Sequence, residues 1–309
     1  MPAELIDNQL YLPYPESLKV KTKFLEYIID GKKGSALLDS VEVIFCLGDG
    51  INFPSEFLFK CQKKRIPVIS YKTHLDEPLF ITGSVLRASD NTLLKQIECY
   101  KNKKKRLVIV RKILERKFAN QCWIGLKKVR LYRVINLENC LEVEGLRSKQ
   151  YFRCYKKELK KRNVEFKSRR TKSSANLFLN AGYTYIRGII LRWVVFHRLS
   201  PHYGFLHKCT RYPALAYDLM ELYRCWIDKW FIEYLDRRSS LRDPNNFVRY
   251  CSQALNEKIF VAHQSQKISR KEFIKLSVWQ LKKYLVGKNK TLVLPEEYFS
   301  LRPGRKVKL

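Results

Sequence analysis

The sequence predicts an α+β chain, with a small N-terminal β domain of β-sandwich-like character followed by a larger all-α C-terminal domain. Three observations carry this. Up to about Ser84, short β-prone runs alternate with turn residues. From about Asn91 the texture changes, and apolar residues recur three and four positions apart, the spacing of one helix face. No low-complexity tract and no internal repeat of fixed period interrupts either part. The expected division is 1–84 for the β domain, 85–92 for a linker and 93–309 for the helical domain.

In the first part the β-prone runs are 9–13, 18–24, 41–48, 66–71 and 79–82. Pro54-Ser55-Glu56 opens an amphipathic stretch ending near Lys64, which has the start signals of one short helix between strands. In the second part, Leu107, Ile109, Val110, Ile113, Leu114 and Phe118 fall on one helical stripe. Residues 177–199 are apolar enough to be mistaken for a membrane span. Arg187, Arg192, His197 and Arg198 make hydrocarbon exposure too costly there, so the expectation is a buried helix and no membrane association.

A chain of 309 residues with 46% hydrophobic side chains can bury real cores, which excludes wholesale disorder. Lysine and arginine outnumber aspartate and glutamate 61 to 29, giving a formal charge of +32, so an extended polyanion is the natural partner. Nucleic acid fits better than anionic membrane. The first nine residues carry Glu4 and Asp7 and lack the basic-then-apolar order of a signal peptide, so a cytoplasmic location is expected. The nine cysteines are scattered without a CxxC pair, and they read as core fillers in a reducing compartment rather than as zinc or redox groups.

The densest basic run lies between Arg147 and Lys172, where twelve basic residues face only Glu158 and Glu165 and are interleaved with Tyr151, Phe152, Tyr155 and Phe166. Arg147, Arg153, Lys156, Lys157, Lys160, Lys161, Arg162, Arg169 and Arg170 are the candidate DNA phosphate contacts from it. Smaller clusters occur at 101–106 and 302–308. Each run alone reads as a solvated face or tail, and the chain-wide excess is what favours binding.

The candidate chemistry lies further on. Gly204-Phe205-Leu206-His207 ends a loop after Pro201, and eleven residues beyond the histidine comes Asp218-Leu219-Met220-Glu221 in a helical pattern. Asp218 and Glu221, three apart, share a helix face, where two carboxylates can converge on one hard cation. Spacing alone leaves open a solvated pair of acids and a structural histidine. Glu144, in Leu141-Glu142-Val143-Glu144-Gly145, carries no signal by itself.

Three motifs in order resemble the CRISPR adaptation integrase family, the endonuclease-like enzymes of spacer acquisition. The family's glutamate-glycine pair and following aromatic pair are matched by Val143-Glu144-Gly145 through Tyr151-Phe152. Its arginine-rich turn and asparagine-containing helix are matched by Arg169-Arg170 and by Asn176-Leu177-Phe178-Leu179-Asn180-Ala181-Gly182-Tyr183. Its glycine-aromatic-leucine-histidine loop and aspartate-leucine-methionine-glutamate helix are matched by Gly204 to His207 and Asp218 to Glu221, with Arg224 just beyond. Upstream, Gln96, Arg111-Lys112-Ile113 and Lys117-Phe118-Ala119-Asn120-Gln121 resemble the helix joining the family's two domains. One turn departs: the usual glycine-leucine-aspartate-proline reads Arg198-Leu199-Ser200-Pro201.

The resemblance implies a metal-dependent DNA integrase and endonuclease with Glu144, His207, Asp218 and Glu221 as catalytic residues. Glu144, His207 and Glu221 would hold Mg²⁺ or Mn²⁺, with Asp218 in direct contact or one layer behind. The implied reaction is transesterification, joining the 3′-OH ends of a short captured double-stranded DNA to a CRISPR repeat. The implied partners are a second copy of the chain, docked through the β domain, and a small ferredoxin-like adaptation protein. Two rival readings remain: a transposon-encoded integrase of the same superfamily, and a non-catalytic basic nucleic-acid scaffold. Tyr183 and Arg224 are read as structural.

Overall fold

The computed structural model describes residues 3–72, 79–81, 91–126, 136–169, 171–208, 212–237, 241–260 and 267–294. Most of the expected linker (85–90), Arg170, Cys209 and the basic cluster 302–308 lie outside the described residues. Strands β1 (Glu4–Ile6) and β2 (Gln9–Pro13) form a hairpin through Asp7 and Asn8. Both turn residues have positive φ, 45° and 66°, as a two-residue primed turn requires. β2 runs parallel to β6 (Val43–Leu47), β6 parallel to β7 (Val68–Tyr71), and β7 antiparallel to β8 (Leu79–Ile81), which completes a five-stranded sheet ordered β1-β2-β6-β7-β8. A second, antiparallel sheet contains β3 (Ser17–Lys21), β4 (Phe24–Ile29) and β5 (Lys32–Leu37). Helix α1 (Ser55–Lys64) crosses from β6 to β7, as the start signals at Pro54-Ser55-Glu56 suggest.

Val43-Ile44-Phe45-Cys46 is apolar at every position because both faces of its sheet are covered. On one face, Leu10, Leu12, Ile44, Cys46 and Val68 share a core with Leu18 and Leu25 of the small sheet and with Phe57 and Cys61 of α1. On the other, Val43, Phe45 and Ile69 belong to the core of the helical part.

That part contains α2 (Thr92–Lys101), α3 (Lys103–Asn120), α4 (Leu137–Lys160), α5 (Ser174–Phe196), α6 (Ala214–Met220), α7 (Arg224–Arg237), α8 (Pro244–Asn256) and α9 (Arg270–Leu285). A two-stranded ribbon, β9 (Lys258–Phe260) and β10 (Lys267–Ser269), precedes α9. Helix α5, the apolar stretch of the sequence, is the axle: it packs on α6, α7, α8, α9 and β6. Gly188 lets it approach the sheet, since a Cβ there would lie 2.7 Å from Phe45 Cζ and 2.8 Å from Gln9 Oε1. Buried Gln9 donates to the Tyr185 carbonyl at 3.1 Å across the same contact.

The charges of α5 are satisfied within the protein. Arg187 donates to the hydroxyls of Tyr71 (2.6 Å) and Tyr217 (2.7 Å), and Arg192 donates to the carbonyls of Lys64 (2.8 Å) and Arg65 at the end of α1. No helix among the described residues is long and apolar enough to cross a membrane. The helix ends in two reversed bonds, from Leu199 N–H to the Val194 carbonyl and from Arg198 N–H to the Val195 carbonyl, each 3.0 Å. Arg198 sits there at φ 61°, in the left-handed region that the family's glycine would enter without strain. Cys46, Cys61, Cys99, Cys140, Cys225 and Cys251 are buried thiols, and burial pushes Cys46 and Cys61 up to about 12.

Candidate metal centre

His207 is carried by the loop between α5 and α6, and α6 fixes that loop through Asp218. The wholly buried Asp218 carboxylate accepts the backbone N–H groups of Phe205, Leu206 (2.9 Å) and His207 (2.9 Å), and its Oδ1 lies 2.8 Å from His207 Nδ1. A carboxylate only accepts, so Nδ1 carries the proton and Nε2 keeps its lone pair for a ligand. Gly204 makes this possible: a Cβ would lie 2.8 Å from the backbone of Ala214 and 2.9 Å from Asp218 Oδ2. Burial would lower the His207 pKa, but the hydrogen bond and charge of Asp218, with Glu221 adding to them, raise it overall. With both oxygens engaged by the loop, Asp218 acts as the group that orients the imidazole.

Glu221 follows the last residue of α6, and Glu144 lies one turn before Ser148 on α4. The two acids meet at Lys117 of α3, whose Nζ contacts Glu144 Oε1 and lies 2.6 Å from Glu221 Oε2. Ser148 donates to Glu144 Oε1 at 2.7 Å, and Arg224 pairs with Glu221 Oε1 at 3.1 Å. Burial would raise Glu221, but Arg224 and Lys117 overcome it and hold the carboxyl down at about 2. Burial likewise opposes ionisation of Glu144, and Lys117 and Ser148 lower its pKa against that. Both acids are thus anionic at neutral pH, the form a metal ligand must take.

Among the described residues no three histidine, cysteine or acid side chains converge into a ready cage, and Lys117 contacts both glutamates. The donor set still suits a hard divalent ion. Carboxylates fit Mg²⁺ and Mn²⁺, and imidazole leans toward Mn²⁺. Glu221 Oε2 is buried, and the Lys117 ammonium is the cation it faces, at 2.6 Å.

A family model described as CRISPR associated protein Cas1 matches residues 10–132 and 125–260. The chain belongs to the Cas1 family. The CRISPR-associated endonuclease Cas1 of Thermotoga maritima is 25% identical over 271 residues, 77% of this chain and 84% of that protein. A solved Cas1 protein from Thermotoga maritima matches with a TM-score of 0.76 at 23% identity, over 92% of this chain and 98% of its own. A casposase bound to integration product matches with a TM-score of 0.73 at 20% identity, over 93% of each chain. These likenesses show the fold, and strands followed by a mostly helical part is the Cas1 order expected from the sequence.

In this Cas1 family member the basic run divides into three groups. Arg153, Lys156, Lys157, Lys160 and Lys161 are exposed. Arg162 is committed to Asp236 in a two-pronged pair (2.6 and 2.9 Å) and to Glu158. Arg169 donates to Asn176 (2.5 Å) and Asn180 (2.6 Å) and lies over Tyr183. Arg147 differs from these: it is 5% exposed and its guanidinium packs over Phe118. Tyr183 is buried and donates to Asp228, while Arg224 joins the site through Glu221.

Sequence reasoning missed the roles of Lys117 and Ser148, and it missed a cleft of 760 Å³ whose lining includes Met220 and Arg224. Arg169, Lys172, Arg187 and Arg224 supply the charge of its lining, with Asn180 and Tyr217 among the polar groups between them. The signal for Lys117 was present: it falls on the stripe of Ile113, Leu114 and Phe118, where a cation demands an acidic partner.

Proposed function

We propose that the chain is a metal-dependent DNA integrase with endonuclease capacity, acting in CRISPR adaptation. The observation that carries this reading is the meeting of Glu144 and Glu221, both buried or half-buried and anionic, on one cation beside an imidazole locked by Asp218. Glu144, Glu221 and His207 Nε2 would hold Mg²⁺ or Mn²⁺, which when bound polarises a phosphoryl oxygen and offsets charge on the leaving 3′ oxygen. Asp218 keeps Nε2 aimed at the site, and Arg224 holds Glu221 in its ionised form. The arginine-lined cleft, whose lining includes Met220 and Arg224, would hold a DNA strand, and Arg153, Lys156, Lys157, Lys160 and Lys161 offer phosphate contacts on and just after α4.

With a DNA 3′-OH as nucleophile the outcome is strand joining, and with water it is cleavage. By the family resemblance, residues 1–84 serve dimerisation, residues 93–309 serve DNA binding and chemistry, and a small ferredoxin-like protein completes the assembly in the cytoplasm. Light scattering tests the dimer, and a strict monomer at micromolar concentration refutes it.

The decisive assay is joining of a short duplex with free 3′-OH ends to a plasmid carrying a CRISPR repeat, in Mn²⁺, Mg²⁺ or EDTA. Joining that needs metal and is lost in His207→Ala, with DNA binding retained, is the expected result. Binding without joining under every metal, with the small partner present, would support the scaffold reading instead. The likeness to a casposase favours a second reading, insertion of a transposon's own ends, and a preference for such ends over a CRISPR repeat distinguishes it.

A further inference from the structure

Lys117 lies among side chains that leave no room for a stray charge. Ile113, Leu114 and Phe118 beside it on α3 are at most 1% exposed, and Lys117 itself is 4% exposed. Its ammonium reaches Glu144 of α4 on one side and Glu221, at the junction of α6 and α7, on the other. It is therefore the cation that keeps two acids from different helices side by side. Arg224 pairs with the other oxygen of Glu221, at 3.1 Å, so Lys117 is the cation that the two acids share.

We propose that the Lys117 ammonium occupies the position between Glu144 and Glu221 that a divalent ion would take, so that metal enters by displacing this side chain and binds in competition with it. The proposal rests on the metal-site reading above. A Mg²⁺ ion sits about 2.0–2.1 Å from its carboxylate oxygens. An ammonium already 2.6 Å from one of those oxygens and touching the other occupies the same small volume, and the two cations repel. Lys117 is thus a positioning residue. It keeps both ligands ionised and close together before metal arrives, at the expense of metal affinity.

The test is calorimetric titration of the full chain with MnCl₂, comparing wild type, Lys117→Gln and Glu221→Gln. The expected result is Mn²⁺ binding about tenfold or more tighter in Lys117→Gln than in wild type, and lost in Glu221→Gln. A lysine that merely supported the fold would weaken metal binding when removed, so the sign of the change separates the two roles. Lys117→Gln with unchanged or weaker affinity, while Glu221→Gln still loses binding, overturns the competition and leaves the metal site standing. Absence of Mn²⁺ binding in wild type and Lys117→Gln alike, or binding unaffected by Glu221→Gln, overturns the metal site and the competition with it.

Should Lys117→Gln fail to fold, the wild-type chain supplies the answer through acetic anhydride labelling read by mass spectrometry. Displacement predicts several-fold more acetylation of Lys117 in Mn²⁺ than in EDTA, and equal labelling in both overturns it.

Discussion

Replacing Asp218 by asparagine separates an orienting carboxylate from a metal-ligating one. Asparagine keeps the shape but has one acceptor oxygen, so its NH₂ must face two of the four donors now satisfied by Phe205, Leu206 and His207. Hydrogen bonds to a charged group contribute roughly 1.5–3 kcal/mol each. Losing two of them in a fully buried setting, after partial relaxation of the loop, should destabilise the fold by about 3 kcal/mol. In a chain of this size that corresponds to a drop in Tm of about 5 °C. The assay is urea unfolding in EDTA, so that no metal contributes. A residue whose purpose was metal ligation would behave in the opposite way, because removing its charge from a metal-free site relieves repulsion. A loss below about 0.5 kcal/mol in EDTA would therefore refute the positioning role assigned to Asp218.

Three further outcomes are expected. Arg198→Gly should stabilise the protein by about 1 kcal/mol in urea unfolding, because Arg198 occupies a left-handed conformation that glycine adopts freely. Changing Lys156, Lys157 and Lys160 together to glutamine should make the plot of log affinity for DNA against log salt shallower by about 0.9 for each phosphate no longer neutralised, whereas Arg147→Gln should leave that slope unchanged. Burial, with Lys282, Lys275 and Arg65 adding to it, pushes His197 down to about 4 from its ordinary 6.5, so the unfolded chain binds the extra proton between those values. Its contribution is complete above pH 6.5 and is lost as pH falls toward 4, by about 2–3 kcal/mol, and His197→Phe should flatten that part of the stability profile.

The fold was legible wherever burial imposes a period on the sequence. The run 9–13 is strand β2, Pro54-Ser55-Glu56 opens α1, and the stripe through Ile109, Ile113 and Phe118 lies on the buried face of α3. The hairpin of β4 and β5 escaped that reading, because Lys32-Lys33-Gly34-Ser35-Ala36 lacks the β-branched residues that mark strands. Its turn, Asp30-Gly31 with φ of 49° and 69°, was the signal that could have found it. In the site, spacing placed Asp218 and Glu221 on one helix face and left the role of His207 open, and it could not show that Asp218 binds the loop that carries His207. That depends on the close approach at Gly204, a tertiary fact. Glu144 was found only through the family resemblance. The burial of Arg147 was legible by phase: it lies four residues before Tyr151, which is four before Tyr155 and eight before Leu159, all on the buried side of α4.

The sheet that contributes Phe45 and Ile69 to the helical core makes the chain a single lever instead of two beads on a string. With Gly188 seated on that sheet and Gln9 bonded to the turn of α5 above it, the β surface cannot swivel without breaking into the core. In any assembly where two copies meet through their β surfaces, the distance between the two sites would be set by solid geometry and not by the reach of a tether. A rigid span of that kind would act as a gauge, because the separation of the two sites would not change with the load placed on it.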